Sequence, residues 1–328
     1  MKHCIAKPFI KWVGGKGQLI PTLVEMLPYD FSEKDELTYI EPFVGGGAML
    51  FFMLQKFKNI KYAVINDLNQ NLITAYKTVR NHPKALVRGL DEIQKEYRGI
   101  PDEEQRKNFY LSMRSRFNAG GLSDIDNTVL LIFLNRTCFN GLYRVNSKGE
   151  FNVPFGRYNN PTICDAGTIY ADSKLLCDVE IMSGDFEQTG RYVTSNTFVY
   201  FDPPYRPLNA TSNFNSYAKE GFNDADQVRL KNFFDRLSSQ RCLMMLSNSD
   251  CKGYNSDDSF FDELYKDYFI ERVYASRFVN VNPEKRGKLT ELLIRNYAKT
   301  QSLHDANMRN SFDLNIRNYE QDTYRRTV

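Results

Sequence analysis

Seven short runs of apolar, β-branched or aromatic residues stand at the two ends of this chain, with helical patterns between them: Thr38 to Glu41, Tyr62 to Asn66, Val179 to Ser183, Thr197 to Phe201, Leu243 to Ser247, Phe269 to Ala275 and Leu289 to Asn296. Such alternation is the rhythm of a doubly wound α/β sheet. Between Tyr76 and about Thr168 it gives way to long amphipathic patterns, such as Glu104 to Phe117 and Thr128 to Cys138, which predict a mostly helical insertion. Near the end of that stretch, Gly141 to Asn146 and Glu150 to Pro154 flank Ser147-Lys148-Gly149, a turn whose glycine suits a left-handed position. A β-hairpin is expected there. The expected organisation is a discontinuous sheet domain (residues 1–75 and 169–300), an inserted domain (76–168) and a polar tail (301–328) without a sustained apolar stripe.

Composition excludes more than it selects. At 328 residues and 42% hydrophobic the chain can bury a sizeable core, and no apolar run approaches the length of a membrane span. The segment Met1 to Lys7 has no long apolar stretch before a small-residue cleavage site, so no secretory signal is expected and the expected compartment is cytoplasmic. Six cysteines without a C-x-x-C pair, and only three histidines, argue against disulfides and structural zinc; no metal is expected. A net charge of +3 permits nucleic-acid binding without demanding it.

Glu41-Pro42-Phe43-Val44-Gly45-Gly46-Gly47-Ala48-Met49 follows a candidate strand and precedes a helical pattern, Met49 to Phe57. Glycines there let the backbone turn tightly and approach a ligand with no Cβ in the way. About twenty residues on, Asp67 ends the next strand, where a carboxylate can accept hydrogen bonds from ribose hydroxyls. Together they describe a nucleoside site, although the loop alone fits a plain strand-to-helix turn equally well. It is not the G-x-G-x-x-G of a dinucleotide binder, and no G-x-x-x-x-G-K-[ST] is present to cradle a triphosphate. A second glycine cluster, Phe9-Ile10-Lys11-Trp12-Val13-Gly14-Gly15-Lys16, is by itself best read as a surface turn beside a buried tryptophan. Its functional reading is a backbone cradle, with Trp12 against a cofactor and Lys16 facing a carboxylate.

The run Phe198-Val199-Tyr200-Phe201 ends abruptly in Asp202-Pro203-Pro204-Tyr205. Two successive prolines fix two φ angles and remove two amide donors, so carbonyl groups are left as unpaired acceptors. Acceptors suit the gripping of an NH2 group. The exocyclic amino group of a base has two donor hydrogens and a lone pair delocalised into the ring, which makes it a poor nucleophile. Acceptors on both hydrogens draw the nitrogen towards tetrahedral geometry and localise that lone pair. Asp202 and the Pro203 carbonyl would be those acceptors, and Tyr205 would stack on the ring. A base inside a duplex cannot be reached this way and must be flipped out.

With these residues in place the chain resembles the Dam-type DNA adenine-N6 methyltransferases, in the alpha group, whose cofactor motif precedes the recognition insertion and whose catalytic motif comes last. The likeness runs from about Phe9 to Tyr297, on Lys11 to Lys16, Glu41 to Gly47, Asn66-Asp67, Phe139 to Arg144, Phe151 to Tyr158 and Asp202 to Tyr205. It implies a Rossmann-like S-adenosylmethionine-dependent methyltransferase sheet, with an inserted, mostly helical DNA target-recognition domain carrying the hairpin. It also implies S-adenosylmethionine as methyl donor and double-stranded DNA as partner, and leaves the oligomeric state open, a monomer on the DNA being one reading. The cofactor residues would be Trp12, Lys16, Phe43, Gly45, Gly47, Asp67, Asp185, Phe186 and Asp202, with Asp185 and Phe186 flanking the adenine of the donor. Toward DNA, Phe139 matches an aromatic that wedges into the stack. Asn140, Leu142, Arg144 and Asn146 match base contacts, with Arg144 reading a guanine through its two-pronged guanidinium. Lys11 would reach the first base pair and Arg157 a phosphate. The contacts are similar to those of enzymes that methylate adenine in GATC, which makes GATC the expected site.

Two flanking segments are open to more than one reading: Arg206 to Gly221 as a lid over the flipped base or a plain loop, and Arg277 to Lys288, with Arg286 and Lys288, as a phosphate-binding loop or a solvated face. The alternatives for the chain as a whole are a catalytically silent DNA-binding relative, which should show damage at Asp202, Tyr205 or the glycine loop, and amino methylation of cytosine, RNA or a protein glutamine. A nicotinamide-dependent oxidoreductase is disfavoured by the glycine pattern. Transfer is expected to be direct, since no cysteine sits in a nucleophile-like motif and none is needed for attack by nitrogen.

Overall fold

A computed structural model describes residues 4–12, 14–207, 222–275 and 289–299. The lid segment beyond Pro207, the loop with Arg286 and Lys288, and the polar tail lie outside the described residues. The strands are β1 (Leu37–Glu41), β2 (Ile60–Asp67), β3 (Val179–Ser183), β4 (Thr197–Phe201), β5 (Leu243–Ser249), β6 (Phe269–Ala275) and β7 (Leu289–Arg295), in the spatial order β3-β2-β1-β4-β5-β7-β6. All pairs from β3 to β5 are parallel, and β7 runs antiparallel between β5 and β6. The expected α/β sheet is therefore present, with all seven expected strands in it.

Every residue of β4 is buried, as a strand covered on both faces requires. Alternation along the chain divides it between two cores. Phe198 and Tyr200 join Tyr39 of β1 on one face; Val199 and Phe201 join Ile40 on the other. The second face is covered by α8 (Asp224–Ser238), whose Leu230, Phe233, Phe234 and Leu237 are buried and whose first turn is closed by a reciprocal Asn223–Asp226 capping box. The first face takes α1 (Ile20–Glu25), α2 (Ala48–Lys56), α3 (Gln70–Asn81) and α7 (Ala166–Leu176). Short helices α9 (Cys251–Tyr254) and α10 (Phe260–Leu264) lead from β5 to β6.

Between α3 and α7 the chain makes α4 (Pro83–Gly99), α5 (Glu103–Ala119) and α6 (Asp124–Thr137). Their caps are visible in the sequence: Asp102 accepts from the Gln105 amide and Ser123 from the Asp126 amide. The boundaries at 75/76 and 168/169 fall inside α3 and α7, both of which pack with the sheet core. Leu86, Leu90, Tyr97 and Phe133 of the inserted helices share one continuous core with Tyr39, Ile65 and Phe198 of the sheet. A shared core holds the insertion against the sheet.

The hairpin is tighter and less regular than expected. It closes through isolated antiparallel bridges, Val145 with Phe151 and Cys138 with Phe155, rather than through extended strands. Side chains do much of the bonding: Asn146 Oδ1 accepts from the Lys148 and Glu150 amides, and Asn118 bonds both the amide and the carbonyl of Phe151. Such side-chain bonding competes with a backbone ladder.

Strand order reverses between β1 and β4, because the chain leaves β1 toward β2 and enters β4 on the other side. A crevice outside the carboxyl ends of these two strands follows from that topology. Glu41 ends β1 and Asp202 directly follows β4, so the glycine loop and the Pro-Pro motif open on the same crevice.

Candidate active site

Asp202 Oδ1 is held twice, by Lys16 Nζ at 2.8 Å and by the Ser247 hydroxyl at 3.1 Å. Ser247 also contacts the Tyr200 hydroxyl at 3.0 Å, which ties Asp202 to the buried interior of the sheet. Both described partners engage Oδ1, and 22% of the side chain stays exposed, so a substrate group can reach the carboxylate. Desolvation pushes the Asp202 carboxyl above its ordinary value, and Lys16 opposes that rise. The Pro204 carbonyl accepts from Gln227 Nε2 at 3.1 Å. The Pro203 carbonyl accepts from no donor among the described residues. Tyr205 directs its hydroxyl to Glu291 Oε2, 2.7 Å away, and Lys16 Nζ lies 4.3 Å from the centre of its ring. Glu41, buried beside these groups, is pushed up to about 8 by desolvation, against the effect of a hydrogen bond from Tyr39. Asp202 contributes to the same rise.

The glycine loop is built as a cradle. Gly45 and Gly47 have φ of 48° and 74°, the left-handed region that favours glycine. A Cβ on Gly47 would run into the Tyr76 hydroxyl, and one on Gly45 would come within 3.0 Å of Trp12. Asp67 holds the loop rather than standing apart from it: Oδ2 accepts from the Gly45 amide at 3.0 Å and Oδ1 from the Asn69 amide at 2.9 Å. Desolvation pushes its carboxyl up against those bonds. Asn66 donates to the Pro42 and Gly184 carbonyls, linking the loops after β1 and β3, while its buried Oδ1 has no partner among the described residues. The positive-φ glycines, with no Cβ in the way, and the Asp67 carboxylate beside them suit the close approach of a nucleoside and its hydroxyl donors, so these residues fit an adenosyl group. Phe43 lies 5.3 Å from Phe186 across the same opening. Asp185 caps the turn at Glu187 and pairs with Arg229 at 2.7 Å.

Lys16 faces a carboxylate, that of Asp202. Trp12 packs on the glycine loop and stacks on Tyr143, 5.0 Å between centroids, so it joins the crevice to the hairpin. Among the described residues no cluster of His, Cys, Asp and Glu could hold a metal ion, and no helix is long and apolar enough to cross a membrane.

The hairpin side gathers the remaining residues. Phe139 is 53% exposed, unusual for a phenylalanine at the edge of a core. Asn140 beside it is exposed in a left-handed conformation, φ 57°. Leu142 is half-buried against the core. Arg144 is exposed, but its guanidinium is oriented by Asn152, with Nε 2.8 Å from Oδ1 and Nη2 3.2 Å from the backbone carbonyl. Asn146 spends its side chain on the turn and on Glu150. The Lys11 stem packs against Gly141, and its backbone is clamped by Asn135. Arg157 is exposed at φ 60° and 3.8 Å from Glu103. The roles of Ser247, Glu291 and the Asn152 and Asn66 side chains were not read from sequence, although Asn66 and Asn152 lie in motifs that were. The signal for the first two was a polar residue adjoining the apolar run of its strand.

Comparison with known proteins agrees with this geometry. The model of the D12 class N6 adenine-specific DNA methyltransferase family matches residues 12–279. Over 294 residues, 89% of this chain and 99% of the relative, the chain is 48% identical to the Type II methyltransferase M.MjaIII of Methanocaldococcus jannaschii. It is 41% identical over 296 residues, 89% and 95% of the two chains, to the Type II methyltransferase M1.LlaDCHI of Lactococcus lactis subsp. cremoris. The DNA adenine methylase of Haemophilus influenzae is 31% identical over 293 residues, 89% and 93% of the two chains.

Proposed function

Since the chain belongs to the D12 class N6 adenine-specific DNA methyltransferases, we propose that it takes the methyl group from S-adenosylmethionine and adds it to an adenine flipped out of duplex GATC. The enzyme class itself, adenine-specific methylation of DNA, follows from the family. The observation that carries the finer reading is the state of Asp202: Oδ1 is fixed by Lys16 and Ser247 beside the glycine cradle, which leaves Oδ2 to accept from an amino group.

In this reading Asp202 Oδ2 and the Pro203 carbonyl accept the two hydrogens of the adenine N6 amino group. Drawing on both hydrogens localises the nitrogen lone pair. Lys16 and Ser247 hold the carboxylate still, so its acceptor is preorganised before the base arrives. Tyr205 stacks on the base and excludes water from the attacking nitrogen. When bound, S-adenosylmethionine supplies the electrophilic methyl group, and transfer is direct. Asn66, Asp67, Phe43, Phe186, Asp185 and the glycine loop would hold its nucleoside, with Trp12 backing the loop. Residues 76–168 act as the target-recognition unit. Phe139 wedges into the vacated stack, Arg144 reads a guanine with the guanidinium edge that Asn152 leaves uncovered, and Arg157 and Lys11 contact the DNA around it. Asn140 and Leu142 complete the base contacts, whereas Asn146 serves the turn first.

A plasmid methylated in cells without adenine methylation, then read by single-molecule sequencing, tests base and site together. Modified adenine confined to GATC is expected. Modified cytosine, or another adenine motif, would overturn that part of the proposal.

A further inference from the structure

Tyr205 follows two prolines that stiffen its backbone, yet its ring still turns about two side-chain bonds. A ring that is to lie against a base has to be held in one orientation, because aromatic contacts depend on the angle between planes. The structure holds it from its far end. The Tyr205 hydroxyl donates to Glu291 Oε2 at 2.7 Å, from a residue 86 positions further along the chain. Glu291 sits in β7, opposite Ser249 of β5 and Val273 of β6, and is only 5% exposed. Its successors Leu292, Leu293 and Ile294 are apolar and buried. A carboxylate at such a position costs desolvation that an apolar residue would avoid, so its presence calls for a use beyond holding the strand. Lys16 meanwhile stands over the Tyr205 ring, 4.3 Å from its centre. The ring is therefore gripped at its hydroxyl and on one face.

We propose that Glu291 is a positioning residue for methyl transfer, acting through the Tyr205 hydroxyl to fix the ring against the flipped adenine. It touches neither the reacting nitrogen nor the methyl group. The inference explains why an antiparallel strand far from the catalytic motif carries a buried acid at the height of the crevice. It rests on the reading of Tyr205 as the stacking residue, and the test separates the two.

The full chain carrying Tyr205→Ala, Tyr205→Phe, Glu291→Met, Glu291→Gln or the Tyr205→Phe and Glu291→Met pair is assayed for methyl transfer. Each is also assayed for fluorescence of 2-aminopurine in place of the target adenine, which reports stacking directly. Tyr205→Phe and Glu291→Met should each lower kcat about tenfold with little change in KM for the methyl donor. Both should change the 2-aminopurine signal of the bound complex, and the pair should be no worse than the poorer single change, as expected of two groups sharing one bond. Glu291→Gln keeps an acceptor and should restore most of the rate. Losses that add in the pair, or a Glu291→Met chain with unaltered kcat and fluorescence, would overturn the inference. If Glu291→Met does not fold, Tyr205→Phe breaks the same bond from its other end, and full activity with unchanged fluorescence there counts against it. Activity retained by Tyr205→Ala would instead remove the stacking reading itself.

Discussion

Lys16 and Asp202 form a close ion pair, 2.8 Å from Nζ to Oδ1, across the floor of the crevice. Desolvation raises the Asp202 carboxyl above its ordinary value, and Lys16 is the largest force in the opposite direction. An acceptor role needs the ionised form, so activity should fall as pH drops through that raised value. Lys16→Met removes the opposing charge and should move the acid limb of the kcat profile to higher pH. A pH-rate profile with an unmoved acid limb would show that the pair does not control the ionisation of Asp202.

The glycine loop offers a test of the cradle. Gly47 combines φ of 74° with a Cβ direction that ends on the Tyr76 hydroxyl. Gly47→Ala should cost about 1–2 kcal/mol from the left-handed backbone alone, with a further loss from displacing Tyr76, which bonds the Gly45 carbonyl at 3.0 Å. Thermal denaturation and calorimetric titration with S-adenosylmethionine should both register the change. Unaltered binding would place the cofactor elsewhere.

Much of the sheet was legible because its strands are continuous apolar runs. The bounds of β3, β4 and β6 came out as the residues predicted, while β2 begins earlier, at Ile60, because the exposed, charged Lys61 interrupts the apolar run. The helices of the insertion were legible from amphipathic spacing. Less could be read where side chains replace the backbone ladder, as Asn146 and Asn118 do in the hairpin. Least legible were partners far apart in sequence. Ser247 meets Asp202 across 45 residues and Glu291 meets Tyr205 across 86, so neither local spacing nor propensity hints at them. Lys16 was expected to face a carboxylate, but which one was not legible: topology brings Asp202 to it across the sequence, and two opposite charges in a desolvated crevice pair.

Recognition of guanine should depend on how Arg144 is held. Arg144→Ala should lose about 1–3 kcal/mol of discrimination at one guanine. Asn152→Ala removes the side-chain half of the support and should lose roughly 0.5–1.5 kcal/mol. Rates on oligonucleotides with single base changes measure both. If Asn152→Ala leaves the preference intact while Arg144→Ala abolishes it, the orientation of the guanidinium does not come from Asn152.

Glu41 makes the stability of the sheet depend on pH. Its folded value, about 8, stands well above that of an ordinary glutamate, so the folded chain binds the proton more tightly. The associated stability is fully present below the unfolded value, diminishes as pH rises above it, and is lost as pH passes through about 8. Glu41→Gln should flatten this part of the profile and leave the altered chain relatively more stable at alkaline pH. Melting temperatures between pH 5 and pH 9 decide it; parallel curves for the two chains would mean that Glu41 does not titrate in that window.

The central claim is that Asp202 grips the adenine amino group while its other oxygen is tied to Lys16 and Ser247. Single-turnover methyl transfer by Asp202→Ala, with melting temperature and DNA dissociation constant taken on the same preparation, tests it most directly. The transfer rate should fall by at least about a hundredfold, with the fold and DNA binding largely kept. A rate near that of the unaltered chain would contradict the claim.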